Sequence, residues 1–497
     1  MSIRSLAAGA GAMLDRAVNE DVIRLAVTGL SRAGKTVFIT SLIQNLLALA
    51  AQKDVLPKLT HRLSDSGLNR LRDVAILPAG ASAMPRFDQA AKLAGLSAAE
   101  PAWPERTNDI AQISLALTLT HRSPLRQKLG ERRVRLDILD YPGEWLLDLP
   151  LLTQTYAQWS QQALALLRER PRREVSGPFL AFVANLRVGD RVNDGIAQEG
   201  HRLYKDALEA CRARHGLRYL QPGRFLCPGP RGDVPLLWFF PMDVRHPLVP
   251  PAGSLMALLS ERFEAYKRDM RANFFETHFQ AFDRQVLLVD VLGALYAGRA
   301  AFHDTARAIN DISAALRYGA QHGLLAGAAG GVLQGAAHVL PSPLAKASNA
   351  AAERLGGSRI GRVTFVATKA DHVPALKREN LRYLLQSLSG AAESRQNASG
   401  AMVSYQVAAA LRSTEDGSAM MDGRPVPVVK GRVIGEDRVR SFYVGEVPVA
   451  MPPDDFWTEG FFDMPRFRPP LVDAGGRDGL PHLGLDVVLE DLLGDLL

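Results

Sequence analysis

The readable pattern begins at Val22-Ile-Arg-Leu-Ala-Val-Thr28, an apolar run of strand length. It passes through a glycine-bearing turn into a helical pattern from Thr36 to about Leu49. Together these make a strand–loop–helix unit. Residues 52–108 are polar, dotted with proline, and show no strong period. Two β-type runs follow, Gln112–Thr120 and Arg133–Leu139, joined by a charged turn that includes Gly130. From Leu149 to Phe282 the pattern is mainly helical. It predicts helices over Thr153–Arg168, Ala197–Arg214 and Ser254–Phe282, with a Pro/Gly-rich linker at 221–235. Buried-strand runs return at Gln285–Leu292, Arg362–Thr368 and, more briefly, Val403–Ala409. Helical patterns follow the first to about Leu316 and the second over Pro374–Leu388. Strands alternating with helices predict an α/β fold with a mainly parallel, doubly wound sheet.

Beyond residue 415 the pattern changes. Val428–Ile434 and Val439–Val447 predict a β-hairpin turning at Gly435-Glu-Asp-Arg438, and Leu485–Leu497 a terminal helix. Pro425 and Pro427 should keep their end of the hairpin out of a central strand position, because proline gives no N–H to a ladder.

The first turn carries chemistry. Gly29-Leu-Ser31-Arg32-Ala33-Gly34-Lys35-Thr36 fits G-x-x-x-x-G-K-[ST] in full, after an apolar strand and at a helix start. Backbone N–H groups of such a loop, running on to Val37, surround a phosphate, and the helix N-terminus favours the anion. Lys35 would reach the β and γ oxygens, and the Thr36 hydroxyl would ligate Mg²⁺. A metal-organising acid is needed on a neighbouring strand. Asp140 ends the run Arg133–Leu139 and, with Gly143, forms D-x-x-G, whose glycine N–H can meet a γ-phosphate. Asp137 lies three residues inside the strand and is directed to the other face, so Asp140 is the expected metal ligand. Thr368-Lys369-Ala370-Asp371 follows a third strand. A carboxylate at Asp371 can accept from both N1–H and N2–H₂ of guanine, a donor pair adenine lacks, and the Lys369 stem can lie along the purine. The short strand and loop Val403–Ser413 fits a backbone closing over the guanine oxygen, with Ala410 chosen for that contact. Thr107, after Trp103-Pro-Glu-Arg106, is the choice for a threonine that senses the γ-phosphate through Mg²⁺, with Arg106 as a phosphate ligand. A plain loop threonine is the alternative.

Composition narrows the rest. The 497 residues allow about three domains, or one with large insertions. Hydrophobic content of 47% and charged content of 22% exclude a disordered chain. Lys plus Arg number 59 against 52 acids, too small an excess to indicate a nucleic-acid partner. Arginines gather over 168–231, read as a solvated helical face with an anion-binding surface as the alternative. Cys211 and Cys227 are too few for a disulfide framework or a Cys-rich zinc site, and are expected as free thiols. The N-terminal twenty residues lack a sustained apolar core, so cytoplasm is the expected compartment. Residues 320–340 carry no charge but are rich in glycine. They predict a buried or amphipathic helical hairpin, with interfacial membrane contact as the alternative and no transmembrane span.

Several blocks resemble the YcjX-like family of bacterial stress-associated P-loop proteins: GLSRAGKTVFITSLI (29–43), WPERT (103–107), LDILDYPGEWLLDLPLL (136–152), DRQVLLVDVLGALYAG (283–298), FVATKADHV (365–373), YVGEVP (443–448) and PHLGLDVVLEDLLGDLL (481–497). The resemblance covers most of the chain. It implies a GTP-binding, GTP-hydrolysing protein in which a helical domain interrupts a Ras-like P-loop core. On that reading, 20–148 and 284–415 form the core, 149–283 the helical insertion, and 416–497 a C-terminal α+β extension. The Ala/Gly-rich stretch 318–358 is expanded relative to the family pattern, and the resemblance implies nothing for it. Glu144 stands where many small GTPases carry a water-positioning glutamine. Its carboxylate can orient water but repels the γ-phosphate, which predicts slow turnover. The expected function is a Mg²⁺-dependent GTP/GDP switch in a stress response, with a protein effector or membrane-surface partner. Two alternatives stay open: an ATPase on the same fold, and a nucleotide-stabilised scaffold at the inner-membrane surface with negligible turnover.

Overall fold

A computed structural model describes residues 20–30, 32–65, 68–78, 84–105, 110–121, 131–229, 232–244, 250–275, 282–313, 360–389, 402–460, 462–473 and 475–497. Ser31, Arg106, Thr107 and the stretch 318–358, with its apolar run 320–340, lie outside these residues.

The centre is a seven-stranded sheet of β1 (Glu20–Gly29), β2 (Leu68–Ile76), β3 (Ala111–His121), β4 (Arg132–Asp140), β5 (Arg284–Val289), β6 (Arg362–Ala367) and β7 (Met402–Val407). Their order across the sheet is β2-β3-β4-β1-β5-β6-β7. β4, β1, β5, β6 and β7 run parallel, and β3 runs antiparallel to both β4 and β2. The α/β sheet is therefore mixed and mostly parallel, as the alternating pattern predicts. Every residue of β5 is buried, and past Arg284 and Gln285 its sequence is apolar, whereas β3 alternates buried and half-buried positions.

Helices cover both faces. On one lie α1 (Lys35–Ala50), α2 (Pro57–Asp65) and the terminal helix, whose buried Leu485, Val488, Leu489, Leu492 and Leu493 join Phe38, Ile39, Leu42 and Ile43 in one core. A short helix, α3 (Gln89–Leu96), precedes β3. The second core takes in the other face and the helices between β4 and β5: α4 (Tyr156–Arg168), α5 (Gly177–Ala184), α6 (Asp194–His215) and α7 (Leu255–Met270). Their ends are marked by local chemistry. Thr155 and Gln158 form a capping box on α4, Asn193 caps α6, and Gly216 closes α6 with a φ of 66°. After β5 come α8 (Val291–Tyr296), α9 (299–313) and, past β6, α10 (Arg378–Leu388). The terminal helix, Leu485–Leu493, is α11.

Several expectations shift. The polar region 52–108 contains α2, α3 and the edge strand β2. β2 breaks its two-residue period at two register shifts, between Leu68 and Arg70 and between Leu71 and Asp73, so no alternation marks it. The helix expected over Ser254–Phe282 ends as an α-helix at Met270 and runs on in a π turn to Phe275. The run Gln285–Leu292 is a strand only to Val289, because Asp290 caps α8 by accepting from the Gly293 N–H at 2.9 Å. The C-terminal hairpin is present in a three-stranded sheet: β8 (Thr414–Met421), β9 (Arg424–Arg432) and β10 (Val439–Phe442). β9 is central, yet β10 pairs only with Val429–Arg432, so Pro425 and Pro427 face one neighbour, β8. Two of the arginines read as a solvated face are instead buried. Arg172 pairs with Asp304, and Arg224 pairs with Asp269 at 2.6 Å. Cys211 and Cys227 are free and buried. No helix among the described residues is long and apolar enough to cross a membrane.

Candidate functional site

β1, β4, β5, β6 and β7 run parallel, so the segments leaving their carboxyl ends gather at one edge of the sheet. Ligands of open α/β sheets bind at that edge. Register fixes the neighbours there: Val27 lies beside Asp140, Gly29 beside Leu288, and Val289 beside Ala367.

The turn after β1 is built for close backbone approach. Arg32 and Gly34 both have positive φ, 67° and 84°. Ala33 donates to the Leu30 carbonyl at 3.0 Å, and Phe38 donates to Gly34 at 2.9 Å as α1 begins. The first turn of α1 carries no acid that would compete with an anion at its N-terminus. Lys35 is half-buried, with Nζ 3.4 Å from the Gly29 carbonyl. Thr36 is buried in the same turn, and Val37, like Trp103, packs against the cluster of Leu96, Leu411 and Leu480. Gly29 has to be glycine, since a Cβ there would meet the Leu288 carbonyl at 2.6 Å. Gly143 is held in the same way: its Cβ would lie 2.5 Å from the Gly29 oxygen. The glycines of the two motifs therefore touch backbone to backbone.

Asp140 closes this end. It is 1% exposed, and among the described residues neither carboxylate oxygen has a hydrogen-bond partner. Burial pushes its pKa up to about 6, against the pull of Lys35 and of Lys92 on α3. A buried, unmatched carboxylate beside a lysine is costly unless a cation completes it. Asp140 and the Thr36 hydroxyl offer the oxygen donors that a hard cation such as Mg²⁺ takes, so the donor set fits. Asp137, by contrast, accepts from Ser114 Oγ at 2.6 Å and pairs with Arg135 at 3.0 Å, away from this site.

Downstream of Gly143 the chain forms a buried 3₁₀ run, Gly143–Thr153. Glu144 is buried within it. Loop 221–227, between α6 and α7 and wound into one helical turn over Gly223–Leu226, holds that run. The N–H of Gly223 donates to Asp148 Oδ1 at 2.7 Å, that of Arg224 to Oδ2 at 3.2 Å, and Trp145 Nε1 to the Cys227 carbonyl at 2.8 Å. Arg224 also lies over the Trp145 ring, 5.1 Å from its centroid.

At the other end of the edge, Lys369 has a φ of 60° and its Nζ lies 2.5 Å from Asp290 Oδ2. Asp371 is buried, and its Oδ2 accepts from the Ser413 N–H at 2.8 Å and Ser413 Oγ at 2.9 Å. Thr414 Oγ1 donates to the Asp371 carbonyl. His372 stands beside it, Nε2 3.9 Å from Asp371 Oδ1, and burial holds its pKa below the usual histidine value despite Asp371. The Ala410 carbonyl accepts from Ser41 Oγ on α1, so this loop joins the two ends of the site. It is Ser413 that touches Asp371, three residues beyond Ala410. Trp103 donates to the Phe467 carbonyl at 2.8 Å and brings the chain to this edge, while Arg106 and Thr107 lie outside the described residues.

Matched against known proteins, residues 23–497 fit the model of the YcjX-like family, DUF463. The chain belongs to that family. It is 34% identical over 493 residues to a "Ras-like GTPase YcjX" of Escherichia coli (strain K12), covering 98% of both chains. A protein of the same name from Shewanella oneidensis is 31% identical over 494 residues, covering 96% of this chain and 94% of the relative. Within this YcjX-like chain, the sequence motifs do not point to Lys92, Asp148 or Asp290, and they reach Ser413 only as the last residue of the loop Val403–Ser413. Asp290 alone carried a local signal, an aspartate three residues before a glycine at the end of an apolar strand.

Proposed function

We propose that this YcjX-like protein is a Mg²⁺-dependent GTP-binding switch that hydrolyses GTP slowly. The observation carrying the proposal is Asp140, a buried carboxylate with both oxygens unmatched, one strand from a complete G-x-x-x-x-G-K-T turn. The names of the two relatives agree with it. Asp140 and Thr36 would hold Mg²⁺, which on binding offsets phosphate charge. Lys35 and the N–H groups of 32–37 bind the phosphates, and the Gly143 N–H meets the γ-phosphate. Asp371 accepts from the guanine edge while Ser413 fixes its orientation. Glu144 orients the attacking water, and its like charge keeps turnover slow. The stress-response setting rests on the family resemblance alone.

The reading is tested by single-turnover phosphate release from GTP with Mg²⁺. The expected wild-type rate is on the order of 10⁻³ s⁻¹ or less, and Lys35→Ala should lower it by about a hundredfold. A rate indifferent to Lys35→Ala would remove the enzyme.

The contacts of loop 221–227 support a further part of the proposal: nucleotide state is passed to the helices between β4 and β5 through the 3₁₀ run. Gly223 is the tightest point, since a Cβ there would meet the Glu144 carbonyl at 2.0 Å. Gly223→Ala should therefore force the two segments apart, costing about 2–3 kcal/mol of stability. It should also erase any difference between GDP- and GTP-bound forms in proteolysis of the helical region. Unchanged melting and unchanged cleavage patterns would refute the coupling.

A further inference from the structure

Asp290 belongs to none of the motifs, yet it meets the base-recognition lysine directly. It directly follows β5 and is almost fully buried, and its two oxygens are divided between two partners. Oδ1 accepts from the Gly293 N–H at 2.9 Å, which fixes the carboxylate at the first turn of α8. Oδ2 lies 2.5 Å from Lys369 Nζ. Gly293 leaves the room this needs, since a Cβ there would meet Oδ2 at 2.4 Å. Burial works against the charge on Asp290, but Lys369, the Gly293 N–H and Arg218 outweigh it, so its pKa falls below the usual aspartate value.

Lys369 needs such a partner. A lysine stem has several rotatable bonds, and a side chain that presents a flat apolar edge must first be ordered. Its backbone sits in the left-handed region, held there by the Ala370 N–H donating to Ala408 at 3.2 Å and the His372 N–H donating to Lys369 at 2.9 Å. With the backbone fixed by Ala408, just past β7, and the ammonium fixed by Asp290, just past β5, both ends of the side chain are pinned and the stem between them is set.

We infer that Asp290 is a positioning residue for base recognition: it anchors the Lys369 ammonium so that the lysine stem is ordered before the purine arrives. The inference rests on the guanine-site reading of Lys369 and Asp371. Nucleotide affinity then contains a contribution from preorganisation that the phosphates do not feel. Arg218, which precedes loop 221–227, also acts on Asp290, so the same helical region adjoins this end of the site.

The test is a double-mutant cycle on the full chain with Asp290→Asn and Lys369→Met, reading the affinities of GDP and of inorganic pyrophosphate in Mg²⁺. Asparagine keeps the cap on α8 but cannot hold an ammonium ion. Asp290→Asn should weaken GDP about tenfold, leave pyrophosphate unchanged, and have no further effect once Lys369 is methionine. Equal losses on GDP and pyrophosphate would mark a merely structural residue and overturn the proposal. So would no loss on GDP, or the same tenfold loss in the Lys369→Met background. If wild-type protein holds GDP no tighter than pyrophosphate, the base site itself fails, an outcome separate from the others.

Discussion

Asp140→Asn should abolish the Mg²⁺ dependence of nucleotide binding and lower GTP affinity in Mg²⁺ on the order of a hundredfold. Among the described residues, neither of the two buried Asp140 oxygens has a hydrogen-bond partner. An amide in its place carries no charge to hold a divalent cation. The same substitution should change the pH dependence of stability in the protein free of nucleotide and metal. Burial raises the folded-state pKa of Asp140 from 3.8 to about 6, so the folded state binds this proton more tightly than the unfolded state. Its penalty is absent below about pH 4, grows as pH rises, and is complete above about pH 6, where it amounts to roughly 3 kcal/mol. Wild-type melting temperature should therefore fall over that window through this residue, and Asp140→Asn should remove that part of the fall. Thermal denaturation in EDTA across pH 4–8 checks it. A variant whose melting curve tracks wild type across the window, with unaltered Mg²⁺ response, would place the metal elsewhere.

Asp371→Asn should collapse the preference for guanine while leaving the phosphate end intact. Asp371 is acceptor-only as a carboxylate, and Ser413 holds its Oδ2 through two donors. Guanine presents two adjacent donors, N1–H and N2–H₂, and asparagine replaces one of the two acceptors with a donor of its own. Two donors then face each other in a buried site, a mismatch that costs about a hundredfold or more in GDP affinity. Xanthine carries an oxygen where guanine carries its exocyclic amine, so the variant should gain affinity for xanthosine diphosphate. Isothermal titration with GDP, xanthosine diphosphate and pyrophosphate reads all three effects. GDP binding that survives Asp371→Asn would show that the base is read by other groups.

Much of this site is legible in the sequence because its chemistry is local. The turn from Gly29 to Thr36, Asp140 with Gly143, and Lys369 with Asp371 each lie within a few residues at a strand end, so spacing alone points to a role. The parallel strands are legible for a related reason: β5 and β6 are almost wholly buried and read as mainly apolar runs. What sequence leaves out depends on partners distant along the chain. β2 is an edge strand whose register shifts destroy its alternation, and β8 is mostly exposed, so neither shows a period. Asp148 looks like one acid in a leucine-rich run, and only the fold brings the Gly223 and Arg224 N–H groups to it. Arg172 and Arg224 read as surface charges because their acids, Asp304 and Asp269, come from helices far along the chain. Asp290 lies inside the run Gln285–Leu292, which reads as a strand to its end. Ser413 stands beyond the loop residue that spacing singles out, because the chain turns past Ala410 toward α1 before reaching Asp371.

The account stands on one claim, that guanine nucleotide binds at the carboxyl edge of the sheet. It is tested most directly by displacement of a fluorescent GDP analogue from purified protein in Mg²⁺, with GDP and ADP as competitors. The account predicts displacement by GDP at a concentration about a hundredfold lower than by ADP. Equal potency of the two, or tighter binding of ADP, would contradict it.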